Sequence, residues 1–312
     1  MLRDPHPHSN PPLEGEGVSL IHSFTPSLLH SSRIKLLASI AQLITRYDAL
    51  LFDAYGVLVH VAGPMPGASE LIAHLNGIEK PYCIVTNDAS RLPDKTAARY
   101  RRYGLEVKAE QIITSGMLLQ DYFARHRLRD ARCVVLGPSD SSRYVELAGG
   151  EIVPPDAWFD VLVIGDESGF PFLETVDTAL TTLFKMLDGG RNVHLVLPNP
   201  DLIYPSGVDS FGIAAGGVAL LFEAALRRRY RDRPGLEFAR LGKPYPHLYE
   251  AAMARCDTRD VVMIGDQLET DIAGAKAVGI DSALITTGVS LDDIAALPET
   301  MRPTWRVNSL SL

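Results

Sequence analysis

The chain has 312 residues, is 46% hydrophobic and 22% charged, and carries a formal net charge of −8. That length accommodates about two domains of ~150 residues with a sizeable core, and the acidic balance argues against a nucleic-acid surface. No apolar run reaches the ~20 residues of a membrane helix, and the opening residues lack the apolar core of a secretory signal, so a cytoplasmic protein with no membrane partner is expected.

Cys83, Cys133 and Cys256 are odd in number and lie in or beside apolar segments, the pattern of buried free thiols in a reducing compartment. No two of the nine histidines have metal-ligand spacing on a recognisable helix. Arg227-Arg228-Arg229 reads as a solvated helix end rather than a binding patch.

In chain order, residues 1–32 are rich in Pro, Ser, His and Gly without sustained periodicity, which predicts an extended arm. Apolar residues at helical spacing then predict a helix over Ile34 to Tyr47, and Asp48 to Asp53 reads as a short buried strand. Further strand-like runs are Tyr82–Val85, Ile112–Thr114, Cys133–Leu136, Val161–Ile164, Val193–Leu197, Val261–Ile264 and Ala283–Ile285, with amphipathic segments between them. Such alternation implies right-handed βαβ units, hence an α/β fold with a Rossmann-like, doubly wound parallel sheet. Proline and glycine punctuation at Gly137-Pro138, Pro154-Pro155 and Pro198-Asn199-Pro200 marks residues 129–219 as a smaller inserted α/β domain. Residues 33–128 and 220–312 would then form the core that the chain leaves and re-enters.

Polar groups of a consistent kind gather at four strand or loop ends. Asp53 ends the first strand and is followed by the turn Ala54-Tyr55-Gly56. Thr86-Asn87-Asp88 follows the second strand and offers a hydroxyl and an amide. Lys243 stands between Gly242 and Pro244, and Asp266 and Asp271 flank a turn entering a helix after Val261–Ile264. Together they compose a nucleophilic carboxylate, anion donors, a neutralising lysine and an oxygen-ligand site for a hard cation. An aspartate attacking a phosphorus dianion meets like-charge repulsion, and the clustered carboxylates repel one another, so a cation such as Mg²⁺ is expected. There is no Gly-x-x-x-x-Gly-Lys-Ser/Thr loop, no Gly-x-Ser-x-Gly elbow and no Gly-x-Gly-x-x-Gly after a strand, and Gly216-Gly217 reads as close helix packing.

In order, spacing and context these segments resemble the haloacid-dehalogenase superfamily over about residues 47 to 306. They most resemble the branch with a large inserted α/β cap, which includes nitrophenyl-phosphatase and NagD-like members. Supporting stretches are Pro66-Gly67-Ala68, Thr114-Ser115, Asn199-Pro200-Asp201, Gly242-Lys243-Pro244, Gly265-Asp266 through Asp271, Gly288-Val289 and Arg302-Pro303-Thr304-Trp305. The resemblance implies a hydrolase with Asp53 as nucleophile and magnesium ligand, Thr86 and Asn87 as donors to the transferred group, and Lys243 as charge partner. It also implies Asp266 as metal ligand, Asp271 in the metal shell, and the Tyr55 backbone carbonyl as a further ligand. A cap that closes over the core would select a small phosphorylated or acidic metabolite. Asn199, Asp201, Tyr204 and the pair Asp166-Glu167 are its candidate lining residues.

Tyr55 stands where the family usually has an aspartate general acid and base. A phenol has a reference pKa of about 10, so only about one in a thousand is ionised at neutral pH, and loss of such a group costs ~10²–10⁴-fold. Three readings stay open: a slow magnesium-dependent phosphatase in which Tyr55, Asp88 or His60 takes the role, a 2-haloacid-dehalogenase-like hydrolase, and a non-catalytic scaffold that binds a phosphorylated ligand. Asp88 reads first as a helix N-cap for a segment starting near Arg91. A homodimer through the cap or the apolar helix near Leu220–Leu226 is a further option.

Overall fold

The computed structural model describes residues 37–312 apart from 61, 208–209, 232 and 286–290. The expected arm over 1–32 and the Gly288-Val289 pair lie outside the described residues. Two parallel sheets carry the fold, as the alternating pattern predicts.

The larger sheet has six strands in the order Trp305–Val307, Asp281–Ile285, Val261–Gly265, Ala49–Phe52, Tyr82–Thr86 and Ile112–Thr114, all parallel. Its central strand, Ala49–Phe52, is buried at every position, so both faces must be apolar. Leu50 and Phe52 join one hydrophobic cluster, whereas Ala49 and Leu51 join another, the period-2 consequence of the pleat. The first cluster packs under helices Ile40–Arg46 and Ala68–Gly77.

The predicted helix over Ile34 to Tyr47 is shorter in the structure. Ser39 and Gln42 form a reciprocal capping box that starts the helix at Ile40, and Leu37 makes an isolated β-bridge with Arg306. Leu37, within the periodic run, thus pairs as extended chain instead of joining the helix.

The second sheet runs Ala239–Arg240, His194–Leu197, Val161–Ile164, Arg132–Leu136 and Glu151–Ile152, again all parallel. Helices Phe172–Asp188 and Ala215–Arg229 cover one face, burying Leu183, Met186, Val218 and Phe222 against Val134, Leu162 and Leu195. Residue 219 therefore lies inside a helix of this unit. Ala239 pairs with Val196 and Arg240 with Leu197, so the second sheet takes in residues beyond 220, and the next strand of the six-stranded sheet is Val261–Gly265. Gly216 behaves as the apolar pattern predicts: a Cβ there would lie 2.3 Å from the Pro200 carbonyl, so glycine lets the helix start against the Asn199-Pro200-Asp201 turn.

Among the described residues no helix is long and apolar enough to cross a membrane. The three cysteines are free, with Cys83 and Cys133 buried and the Cys83 and Cys256 sulfurs 3.5 Å apart.

Candidate active site

The site forms where the strand order of the larger sheet reverses. From Ala49–Phe52 the chain proceeds outward to Tyr82–Thr86 on one side, and the later strand Val261–Gly265 pairs on the other. The crevice at their carboxyl ends is the topological switch point of a doubly wound sheet, and Asp53 and Asp266 follow those two strands. Gly56 makes this approach possible. Its φ is +87°, and a Cβ there would sit 2.1 Å from Asp266 Oδ2.

Lys243 Nζ donates to Asp53 Oδ1 at 2.5 Å and to Asp271 Oδ1 at 2.7 Å, with all three side chains buried. Asp271 reaches inward from a π-helical turn, Leu268–Ile272, and its other oxygen accepts from the Gln267 amide at 3.2 Å. One oxygen from each of Asp53, Asp266 and Asp271 lies within 4.8 Å of the others. Asp266 Oδ1 is buried and has no hydrogen-bond partner among the described residues.

Burial pushes the Asp53 carboxyl up to about 8; Lys243 opposes the rise and the neighbouring Asp271 and Asp266 add to it. Burial, then Asp271, pushes Asp266 up to about 6. At Lys243 burial works to lower the ammonium, but Asp271 and Asp53 outweigh it and hold the group well above the ordinary lysine range. One ammonium does not balance three carboxylates in a buried site. A hard divalent cation would relieve the excess negative charge and occupy the orphaned Asp266 oxygen, so the donor set fits such an ion.

Thr86 Oγ1 accepts from the Asp88 amide at 3.3 Å, which leaves its hydroxyl hydrogen to donate into the crevice. Asn87 is placed differently from the expectation of a donor to ligand. Its Nδ2 donates to Asp201 Oδ1 at 2.8 Å and to the Lys243 carbonyl at 3.1 Å, while its Oδ1 accepts from the Lys243 amide at 2.7 Å. With both amide hydrogens taken, the side chain braces Lys243 and ties Asp201 to the sheet. Asp88 is no helix N-cap either: its Oδ1 accepts from the Ser90 amide and hydroxyl, each at 2.7 Å, and the next helix begins at Pro93.

A cavity of about 590 Å³ opens over these groups. Asp53, Tyr55, Thr86, Asn87 and Lys243 form its floor. Asn199, Asp201, Asp166 and Glu167 reach it from loops beyond strands of the second sheet, and Tyr204 from the antiparallel strand pair Ile203–Pro205 and Phe211–Ile213, so the expected lining residues converge. Asp88 also lines it, whereas exposed His60 does not and instead accepts from the Ala62 amide. Tyr55 packs against the first hydrophobic cluster, with the Arg99 guanidinium 5.4 Å from its ring centre. Sequence reasoning missed Arg91 and Arg99, which line the same cavity. Their signal was a run of basic residues directly after Thr86-Asn87-Asp88.

A haloacid dehalogenase-like hydrolase model matches residues 50–151, and a second, HAD-hydrolase-like model matches residues 240–311. The D-glycerol 3-phosphate phosphatase of Mycobacterium tuberculosis is 30% identical over 273 residues, 86% of this chain and 70% of that protein. The chain belongs to the haloacid-dehalogenase-like hydrolases. Among solved members, a possible sugar phosphatase from Cytophaga hutchinsonii matches with TM-score 0.74 and 31% identity, covering 88% of this chain and 98% of that one. A glycerol phosphate phosphatase from Mycobacterium tuberculosis, in complex with magnesium, matches with TM-score 0.71 and 27% identity over 86% of this chain and 77% of that one. Within the hydrolase family the chain sits in the branch with NagD-like and nitrophenyl-phosphatase members.

Proposed function

We propose that this hydrolase is a magnesium-dependent phosphatase that removes phosphate from a small phosphorylated metabolite through Asp53. The observation that carries the reading is the cluster of Asp53, Asp266 and Asp271, two of them bound to Lys243, with one buried Asp266 oxygen left without a partner among the described residues. The phosphatase names of the relatives support it.

Asp53, Asp266 and Asp271, with the Tyr55 carbonyl, would hold the ion, which supplies positive charge where negative charge develops on the phosphoryl oxygens. Asp53 uses a carboxylate oxygen to form a bond to phosphorus while the bond to the ester oxygen breaks. Lys243 neutralises the attacking carboxylate and keeps it in place, and the Thr86 hydroxyl donates to a phosphoryl oxygen. Tyr55 lines the cavity and gives its hydroxyl proton to the leaving oxygen. Water then attacks phosphorus and returns a proton to Tyr55 as the bond to Asp53 breaks, which restores both residues. With no aspartate at position 55, proton transfer to the leaving oxygen makes the first half the slow one.

The same reading makes the unit from about 129 to 240 the cap, with Asn199, Asp201 and Tyr204 facing the non-phosphate end of the substrate. Exposed Leu202, Ile203, Phe211, Ile213 and Leu221 give the cap an apolar face suited to a homodimer.

The test is phosphate release from a panel of phosphomonoesters by wild type, Asp53→Asn and Tyr55→Asp. Expected is activity that EDTA and Asp53→Asn both abolish, and that Tyr55→Asp raises. Chloride release from 2-chloropropionate without phosphate release would overturn the phosphatase in favour of a dehalogenase.

A further inference from the structure

A second cavity of about 590 Å³ adjoins the first and shares Ser90, Arg91 and Arg99 with it. Lys95 and Arg102 on helix Pro93–Arg102 complete one wall, and Ser139 and Asp140 at the start of helix Ser139–Leu147 form the other. Lys95, Arg99 and Arg102 recur four and three residues apart, the spacing that places side chains on one face of helix Pro93–Arg102, and Arg91 joins them from the loop before it. Four cations thus face one carboxylate in a chain of net charge −8.

Two of the four are already balanced. Arg91 lies 3.6 Å from Asp88, and Lys95 pairs with Asp140 at 2.5 Å. Arg99 donates to the Tyr103 hydroxyl at 3.3 Å, and its guanidinium lies 5.4 Å from the Tyr55 ring centre and 5.6 Å from that of Tyr103. Among the described residues no carboxylate lies within ion-pairing distance of Arg99 or Arg102. Two guanidinium groups therefore stand without counter-charge in a groove that opens into the catalytic cavity.

We propose that this groove is a subsite for a second anionic group, phosphate or carboxylate, on the leaving-group side of the substrate. The inference rests on the phosphatase reading and narrows its substrate to doubly anionic phosphate esters. A guanidinium fork matches either oxyanion in a bidentate fashion, and Arg99 joins the two cavities, so one molecule can span them. An anchor remote from phosphorus binds ground and transition states alike, so it acts on KM and not on kcat.

The experiment compares glycerol 3-phosphate and p-nitrophenyl phosphate with 3-phosphoglycerate and fructose 1,6-bisphosphate, using wild type, Arg102→Glu and Arg102→Lys. Arg102→Glu should raise KM for the doubly anionic esters by about tenfold at unchanged kcat, with partial recovery in Arg102→Lys, and leave the other two substrates within about twofold. Equal shifts for all four substrates, or none, overturn the subsite. Calorimetry with inorganic pyrophosphate in EDTA reads the groove without turnover: wild type should bind in a salt-dependent way and Arg102→Glu about tenfold more weakly. Absence of pyrophosphate binding overturns the subsite even if esters are hydrolysed, whereas binding without any ester hydrolysis overturns the phosphatase reading instead. If added pyrophosphate alters turnover of p-nitrophenyl phosphate while doubly anionic esters gain nothing, the groove serves a free anion and the substrate assignment fails.

Discussion

Around Asp53 two forces compete: burial disfavours its charge, and Lys243 favours it. Burial and the two neighbouring carboxylates win, so Asp53 is pushed up to about 8 and Asp266 to about 6. Against unfolded carboxyls near ~3.9, the folded, metal-free site holds extra protons, and the stability they contribute is present below about pH 4 and lost as pH rises toward about 8. A cation must displace those protons, so magnesium should bind more tightly as pH rises. In thermal melts it should raise Tm more at pH 8 than at pH 6, and equal shifts would count against the carboxylate site. Tyr55 makes a second prediction. If its phenol protonates the leaving oxygen, Tyr55→Phe should slow glycerol 3-phosphate hydrolysis ~10²-fold yet leave p-nitrophenyl phosphate within about threefold, because nitrophenolate departs without a proton. An equal loss on both substrates would remove Tyr55 from that role.

Short segments, more than whole helices, set the site. The π-helical turn Leu268–Ile272 carries Asp271 inward, where a regular helix would rotate it away; such turns gather at functional positions. The loop from Asp88 to Leu92 lines both cavities through Ser90 and Arg91 and is held by helix Ser139–Leu147. Ser141 donates to the Ala89 carbonyl at 2.8 Å, Asp140 accepts from the Leu92 amide at 3.1 Å, and the Tyr144 hydroxyl donates to the Arg91 carbonyl at 2.6 Å while sharing a 2.7 Å hydrogen bond with Thr114. The proposed cap is therefore docked through polar contacts to the segment that follows Thr86 and Asn87. Tyr144→Phe should lower stability by about 1–2 kcal/mol, measured as a fall in the urea midpoint at unchanged m-value. A midpoint equal to wild type would show that this hydroxyl holds nothing.

At the scale of the whole molecule, the exposed apolar strand pair Ile203–Pro205 and Phe211–Ile213, beside helix Ala215–Arg229, is out of keeping with an otherwise acidic chain. Phe211 is 69% exposed and Ile203 61%. A two-fold contact through this face would bury them. Light scattering should then report about twice the 34.1 kDa chain mass, with Phe211→Glu returning it to one chain. A monomeric wild type would rule the dimer out.

Much of this was legible in the chain. A buried parallel strand needs an unbroken apolar run, so Ala49–Phe52 and Val261–Gly265 announced themselves, and the carboxylates that follow them marked the sheet edge where the candidate site forms. Family resemblance then placed Thr86 and Lys243 beside them. Other features depend on partners distant in sequence. Ala239–Arg240 is two residues long and becomes a strand only by pairing with His194–Leu197, so nothing local marks where the chain re-enters the core. Asn87 reads as an anion donor until Lys243 and Asp201 take both its amide hydrogens. Nothing local sets Arg99 and Arg102 apart from other basic helix residues, and it is helix Ser139–Leu147 folding opposite them that makes a groove. Periodicity and residue chemistry by themselves determined a doubly wound sheet with acids at its carboxyl edge. Only tertiary structure decided which polar groups are consumed by one another and which stay open to a ligand, because that depends on long-range packing.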